Sequence, residues 1–227
     1  MNKEIDHYFI PHESLIDQLL SYGPSRNQIY PFGIPVGQEL ETEIDKDKAR
    51  KSFGLEKNRI CAVVMGSRVF GGEWFSLVQK IVDFDYDLLV LCGENSSARK
   101  KIERLRGRAN LKTYGMIKNI YDLLSICDIL ITKAGGITTT EATKVGPCLL
   151  FANSIVGLED KNEDFFIRHN AARRLNNKNA KSTLSDLLNS PEKMSEMRKN
   201  LRNLAKKNSA QNIANVIFKS LNGQRGI

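Results

Sequence analysis

The sequence predicts an α/β protein with a Rossmann-like, doubly wound parallel sheet and helices on both faces. Two observations support this fold class. Short apolar segments alternate with amphipathic segments from residue 60 to about residue 175. The apolar segments are rich in Val, Ile and Leu and lack polar alternation, which is typical of strands buried on both faces of a parallel sheet.

Six strands and the helices between them are predicted in this region. The predicted strands are Ile60–Met65, Asp87–Cys92, Leu111–Tyr114, Asp128–Thr132, Cys148–Phe151 and one near Leu175. The predicted helices are Glu73–Val82, Ser96–Leu105, Ile120–Ile126, Thr138–Val145 and Glu159–His169. Further helices are expected from about Ala180 to Leu221, with a break at Asn208-Ser209.

The sequence predicts too few strands and helices in the first 36 residues for a separate domain. They contain the predicted strands Ile5–Ile10 and Gln28–Tyr30, separated by a helix over His12–Tyr22. We interpret residues 1–36 as the end of an amino-terminal domain and residues 37–45 as a polar linker. Residues 46–227 then form the main domain, which begins with a helix over Lys46–Phe53.

Composition excludes several classes of protein. The chain has 227 residues, of which 41% are hydrophobic and 26% charged, as in ordinary globular proteins. No apolar run is long enough to cross a membrane, and the N-terminus lacks a signal-peptide pattern, so a cytoplasmic location is expected. The cysteines lie in or beside apolar runs without metal-ligand spacing and are expected to be buried thiols.

The net charge of +8 favours an anionic partner. Basic residues concentrate between Arg99 and Arg108 and between Arg198 and Lys207. They are interpreted mainly as solvated helix faces, with a membrane-facing surface as the alternative. Nucleic acid is disfavoured because no zinc spacing, aromatic RNA platform or helix-turn-helix pattern is present.

The segment Thr132–Glu141 has the pattern of a phosphate-binding turn between a strand and a helix. Ala134-Gly135-Gly136 allows a sharp turn and close approach of a ligand, and the following helix presents unpaired amides at its start. Lys133, Thr138 and Thr139 could add contacts. Thr138 and Glu141 also have the spacing of a capping box, so spacing alone leaves a purely structural turn equally open.

A second glycine-bearing loop, Gly66–Gly72, also follows a buried strand and precedes a helix. It matches neither the dinucleotide fingerprint nor the P-loop. A third feature, the acidic run Asp83–Asp87, lies before a strand and is interpreted as solvated turn carboxylates rather than a metal site. No arrangement of residues identifies a catalytic base.

These motifs together resemble a known family. Thr132–Gly136 with Glu141, preceded by Tyr114–Ile117 and Leu123–Asp128, resembles the carboxy-terminal, donor-binding domain of GT-B glycosyltransferases. The resemblance is to the family of monogalactosyldiacylglycerol synthases and processive diacylglycerol glucosyltransferases, which is related to lipid II synthase. Phe32–Val36 resembles the interdomain segment of that family, and the resemblance covers nearly the whole chain.

The resemblance implies a UDP-sugar site and assigns its residues. Met116 and Ile117 would present backbone groups to the uracil ring, and Glu141 would bind the ribose hydroxyls. Gly135 to Thr138 would surround the diphosphate, with the loop Gly66–Gly72 approaching from the other side. The full set of implied donor-binding residues is Gly66, Ser67, Met116, Ile117, Lys133, Gly135, Gly136, Ile137, Thr138, Glu141, Glu159 and Asn162.

The sequence also departs from the family pattern. Leu158 stands where the family has a sugar-binding Gln, which leaves the identity of the sugar open, and Ser67–Phe70 is bulkier than the glycine-rich loop of the family. Most of the amino-terminal, acceptor-binding domain of the family has no counterpart here. A C-terminal stripe of Ile213, Ala214, Ile217 and Leu221 is expected to need a partner.

The function implied by the resemblance is transfer of a hexose from a UDP-sugar to a lipid acceptor such as diacylglycerol. It would need no metal or other cofactor and would take place at the cytoplasmic face of the membrane. Activity would require an amino-terminal domain, on a separate chain or in a homo-oligomer. The alternatives are a non-catalytic nucleotide-sugar-binding remnant or regulator and, less in keeping with the interdomain segment, a UDP-sugar epimerase.

Overall fold

A computed structural model describes residues 5–42, 44–66, 72–118, 120–155, 157 and 159–223 of the chain. The strands are β1 Tyr8–Phe9, β2 Ile29–Tyr30, β3 Cys61–Met65, β4 Asp87–Leu91, β5 Asn110–Tyr114, β6 Ile129–Thr132, β7 Cys148–Phe151 and β8 Ala172–Arg174. The α-helices are α1 Ile16–Leu20, α2 Lys46–Ser52, α3 Gly72–Ile81, α4 Ser96–Ile102, α5 Ile120–Ser125, α6 Gly136–Val145, α7 Asp160–Arg168, α8 Ala180–Leu188, α9 Pro191–Asn203 and α10 Ser209–Leu221. Short 3-10 helices cover Glu13–Leu15, Arg26–Gln28 and Gln38–Glu41.

The chain forms two compact units. The larger unit runs from Glu39 to Leu204, and the smaller unit joins the residues up to Gln38 with those from Ala205 onward. The sequence-based boundaries at residues 36 and 45 stay predictions. They differ from this division chiefly because they assign α10 to the main domain.

The larger unit contains a six-stranded parallel sheet in the order β5-β4-β3-β6-β7-β8. This is the strand order of Rossmann folds, 3-2-1-4-5-6 when the strands are numbered along the chain. The direction of winding reverses between strands 1 and 4, which are neighbours in the sheet. Here those strands are β3 and β6, and Met65 pairs with Thr132 where they end. The predicted fold class is confirmed.

Helices bury both faces of this sheet, which explains the apolar strands. Trp74, Ile81 and Leu184 belong to one core cluster, while Leu124 and Phe166 belong to the other. Successive side chains of a strand point to opposite faces. The four cysteines are free and buried, as predicted, and burial raises the pKa of Cys61 to about 12.

The smaller unit has a parallel pair of strands, β1 and β2, which are two residues long each. The predicted strand over Ile5–Ile10 was too long, and the predicted helix over His12–Tyr22 is divided into a 3-10 turn and the short helix α1. Gly33 has a φ of +87°, and a Cβ there would lie 2.6 Å from the Cβ of Lys206. Glycine is therefore required where this segment passes the residues before α10.

Other element boundaries also differ from the prediction. The helix predicted to Leu105 ends at Ile102, and the C-terminal region breaks at Asn189-Ser190 as well as before α10. Pro191 occupies the first turn of α9, where its missing N–H leaves no intrahelical bond unmade.

Candidate functional site

The carboxyl ends of the parallel strands bring Gly66 and the turn at Lys133 to one edge of the sheet. Gly66 directly follows β3 and Lys133 directly follows β6, and these strands are neighbours. Ligands of open α/β sheets bind at this edge, at the point where the winding reverses. The structure therefore places the start of α6 where the fold itself predicts a binding crevice.

Helix α6 begins at Gly136, earlier than the predicted start at Thr138. Its first intrahelical bond runs from the amide of Thr139 to the carbonyl of Gly135, at 3.0 Å. The amides of Gly136, Ile137 and Thr138 precede this bond and have no acceptor within the helix. Gly135 occupies the cap position and makes no side-chain cap bond. The helix start is thus free to bind an anion.

The two glycines at this helix start are not required by backbone conformation. Gly135 has a φ of −73° and a ψ of 138°, an extended conformation open to any residue. A Cβ at Gly135 would meet only the Oε1 atom of Glu159, at an ordinary 3.6 Å. The predicted turn therefore needs no left-handed backbone at Gly135. What the missing side chains provide is open access to the amides.

The capping-box alternative for Thr138 and Glu141 is also wrong. Because α6 begins at Gly136, Thr138 lies inside the first turn and cannot cap the helix. The neighbouring hydroxyls of Thr139 and Thr140 donate back to the carbonyl of Gly136, at 3.1 and 2.7 Å. Such bonds satisfy hydroxyls within a helix. The hydroxyl of Thr138 has no such partner among the described residues.

Glu141 lies one turn further along α6 and is buried, with 9% of its surface exposed. Burial raises the pKa of its carboxyl group, because desolvation disfavours the charged form. Within the described residues, no hydrogen bond or ion pair compensates this carboxylate. Its carboxylate oxygens are therefore available to accept hydrogen bonds from the hydroxyls of a ligand.

Lys133 and Glu159 form an ion pair beside the start of α6. The Nζ atom of Lys133 lies 2.8 Å from Oε1 of Glu159. The second carboxylate oxygen, Oε2, accepts a hydrogen bond of 2.8 Å from the amide of Ile155. Glu159 therefore links the turn after β6 to the loop after β7.

Asn162 fixes the same turn from α7. Its side-chain amide donates to the carbonyl of Ala134 at 2.5 Å and to the hydroxyl of Thr139 at 3.3 Å. The amide of Ala134 in turn donates to the hydroxyl of Ser154, at 3.3 Å. Ser154 was not predicted, since its role depends on the pairing of β6 with β7, which sequence alone does not give.

The predicted uracil-binding residues lie on the same edge but farther away. Met116 and Ile117 follow β5, which is separated from β6 by three strand spacings, or roughly 14 Å. Met116 is 72% exposed, whereas Ile117 packs partly against the core. Ile137 is 65% exposed at the start of α6. Most of the predicted glycine loop, residues 67–71, and Leu158 lie outside the described residues.

The acidic run Asp83–Asp87 combines two exposed carboxylates with one buried carboxylate. Asp83 and Asp85 are exposed and pair with Lys181 and Arg59. Asp87, however, is fully buried, so the solvated interpretation was wrong for it. In the parts of the chain that the structure describes, no three His, Cys, Asp or Glu residues cluster as metal ligands.

Comparison with known proteins identifies the family. The family model "Glycosyl transferases group 1" matches residues 45–208, and the model "Monogalactosyldiacylglycerol (MGDG) synthase" matches residues 1–36. The chain belongs to the group 1 glycosyltransferases. The predicted resemblance to GT-B glycosyltransferases of this family is confirmed.

Individual relatives agree with this assignment. The chain is 30% identical over 93% of its length to a processive diacylglycerol β-glucosyltransferase of Bacillus licheniformis, and 28% identical over 94% to that of Bacillus pumilus. It spans 56% and 57% of those two proteins. The chain thus spans little more than half the length of these relatives.

Solved structures share the fold. A putative UDP-N-acetylglucosamine 2-epimerase from Listeria monocytogenes superposes with a TM-score of 0.74 at 19% identity, covering 96% of this chain and 60% of the epimerase. MurG from Acinetobacter baumannii gives a TM-score of 0.62 at 16% identity, covering 71% of this chain and 52% of MurG. Over the described ranges, no helix has the length and apolar character needed to span a membrane.

Proposed function

We propose that this chain is the donor-binding half of a UDP-sugar-dependent hexosyltransferase that acts on a lipid acceptor such as diacylglycerol. The observation that carries the proposal is the uncapped start of α6 at the winding reversal of the sheet, one turn from the buried and uncompensated Glu141. The names of the Bacillus relatives support both the type of reaction and the lipid acceptor.

The donor would lie along the carboxyl edge of the sheet. The amides of Gly136, Ile137 and Thr138 bind the diphosphate, with Gly66 approaching from the loop after β3. Glu141 accepts hydrogen bonds from the ribose hydroxyls. The backbone at Met116 and Ile117 binds the uracil ring, at a distance of three strand spacings.

The same amides supply the main catalytic contribution that these residues can make. As the bond from the sugar to the diphosphate breaks, negative charge develops on the leaving diphosphate. The amides and the helix dipole of α6 are already oriented toward that charge, so they stabilise it without reorganisation. We assign no catalytic base among the residues of this chain.

Acceptor binding and location are also part of the proposal. The family relatives are longer, and the chain would act with an amino-terminal portion, on a separate chain or in a homo-oligomer. Because the acceptor is a lipid, transfer would occur at the cytoplasmic face of the membrane. The Leu158 substitution supports a second candidate, a nucleotide-sugar-binding regulator without transferase activity.

Titration calorimetry with UDP tests donor binding. We expect the wild-type chain to bind UDP and the variant Gly136→Glu to bind it at least about tenfold more weakly, because a carboxylate then occupies the anion site. Lys144→Gln changes the net charge equally at the other end of α6 and should leave the affinity nearly unchanged. Absence of heat with wild-type chain at millimolar UDP would exclude both candidate functions.

A transfer assay separates the enzyme from the regulator. Radiolabelled UDP-glucose, UDP-galactose and UDP-N-acetylglucosamine would be incubated with diacylglycerol vesicles and the chain. The assay would be repeated after addition of the amino-terminal portion of the Bacillus licheniformis relative. Labelled glycolipid supports the enzyme, whereas UDP binding without product under either condition supports the regulator.

A further inference from the structure

Lys133 and Glu159 form an ion pair beside Gly135, the cap residue of α6. Their side chains are 22% and 9% exposed, so the pair is partly withdrawn from water. Salt screens such a pair less than an exposed one. The bond from the amide of Ile155 to Oε2 holds the carboxylate in place from the other side.

The Glu159 carboxylate lies close to the position of the proposed diphosphate. Its Oε1 atom is 3.6 Å from the point where a Cβ of Gly135 would stand, and Gly135 is the cap residue of α6. The start of a helix stabilises nearby negative charge. Glu159 therefore already lies in the favourable potential that a diphosphate would occupy.

Two negative groups at one helix start oppose each other. The repulsion grows as the distance shortens and as the local dielectric constant falls. Lys133 reduces this repulsion because its ammonium group, 2.8 Å from the carboxylate, neutralises it. Without Lys133, the uncompensated carboxylate of Glu159 would repel a diphosphate bound beside Gly135.

We propose that the Lys133–Glu159 pair sets the nucleotide affinity of the chain, with Glu159 opposing and Lys133 supporting the binding of the diphosphate. The inference rests on the proposed function, because it requires a diphosphate at the start of α6. Glu159 is then a positioning and affinity-setting residue rather than a simple ligand of the donor. Its carboxylate organises the turn through Ile155 and limits how tightly the product UDP is held.

A purely structural role for the pair makes a different prediction. If Glu159 and Lys133 only brace the turn, removing either one loosens the site, and both changes weaken UDP binding. If the pair acts through charge, the two changes have opposite effects on affinity. The sign of the effect of Glu159→Gln therefore distinguishes the two roles.

The test measures UDP affinity by calorimetry in Lys133→Gln, Glu159→Gln and the double variant. Glutamine at position 159 can still accept the hydrogen bond from the Ile155 amide, so the loop keeps its bond. We expect Glu159→Gln to bind UDP about threefold or more tightly and Lys133→Gln about tenfold more weakly, or about 1.4 kcal/mol. The double variant should lie between the two single variants.

A matched pair of variants controls for net charge. Lys181 and Asp83 form an ion pair of the same length, 2.8 Å, and Asp83 lies before β4, at the opposite edge of the sheet from the site. Lys181→Gln and Asp83→Asn change the net charge by the same amounts as the site variants, and should alter UDP affinity by less than about twofold. Thermal melts of all variants check that each one is folded.

Each outcome decides between the proposals. If the wild-type chain binds UDP and Glu159→Gln binds it equally or more weakly, the inference is overturned and the donor-binding proposal stands. If the wild-type chain binds UDP, Glu159→Gln binds it about threefold or more tightly and Lys133→Gln binds it more weakly, the inference is supported. If neither binds UDP at millimolar concentration while both are folded, the donor-binding proposal fails and the inference fails with it.

Discussion

The buried carboxylate of Glu141, the proposed ribose ligand, should lower the stability of the fold when it is ionised. Its carboxylate is buried on α6, and no cation or donor compensates it within the described residues. Burial raises the pKa of this group above its ordinary value of 4.5. The carboxyl group therefore stabilises the fold when protonated, and that contribution is lost as the pH rises through the folded-state pKa.

The variant Glu141→Gln should separate binding from stability. At pH 7 we expect a melting temperature above that of the wild-type chain, because a buried charge is replaced by a neutral amide of similar shape. The difference in melting temperature between the variant and the wild-type chain should shrink as the pH falls below 4.5, where the carboxyl group becomes protonated in both the folded and the unfolded state. UDP affinity should fall about tenfold or more, since hydrogen bonds to a charged acceptor are lost.

Melts across this pH range and calorimetry with UDP measure the two effects. Glu56→Gln removes an exposed acidic side chain before β3, at the opposite edge of the sheet, and serves as the control for net charge. A lower melting temperature for Glu141→Gln at pH 7 would show that the carboxylate has a stabilising partner.

At this scale the sequence predicts candidate site residues but not the contacts among them. Gly135, Gly136 and Glu141 are marked by residue type and by their position after an apolar strand. The Lys133–Glu159 pair is separated by 26 positions along the chain and forms only because β6 and β7 are neighbours. The residue types were predicted, but sequence spacing carries no information about such a pairing.

At the scale of elements, the start of α6 was harder to predict than the central strands. The sequence placed this start near Ile137 or Thr138, whereas the helix begins at Gly136 without a side-chain cap. The strands β3 to β7 were predicted within one residue at either end, because burial on both faces leaves a continuous apolar run. An uncapped helix start has no such signature, so it became visible only in the structure.

Asp87 joins three elements through buried charge. It begins β4, accepts a hydrogen bond of 2.8 Å from Asn110 of β5, and pairs with Arg50 of α2 at 3.3 Å. Arg59 approaches the same carboxylate at 3.6 Å. Loss of the Asp87 carboxylate would leave the two arginine side chains without this counter-charge, which lowers the stability of the fold.

The variant Asp87→Asn should lower the free energy of unfolding by about 3 kcal/mol, because it leaves two arginine side chains without their buried counter-charge. Asp85→Asn is the matched control, since Asp85 is exposed and also pairs with Arg59. It should cost less than about 1 kcal/mol. Urea unfolding measures both values, and equal costs for the two variants would contradict a buried role for Asp87.

At the scale of the whole molecule, the two units differ greatly in their cores. The larger unit has two extensive hydrophobic clusters, one on each face of its sheet. Among the described residues of the smaller unit, only Ile10 and Ile29 are buried hydrophobic side chains. Ile217 and Leu221, which belong to the predicted C-terminal stripe, are instead exposed on α10.

This difference predicts unequal local stability, which hydrogen exchange can measure. A two-stranded sheet is marginal by itself, so we expect the amides of Ile10 and Gly33 to exchange at least about a hundredfold faster than those of β3 and β6.

UDP at about a hundred times its dissociation constant should raise the free energy of global opening of the larger unit by about 2.7 kcal/mol. The amides of the smaller unit should not gain that protection, because their exchange proceeds through a local opening that leaves the nucleotide bound. Equal protection of both units by UDP would mean that they unfold as one.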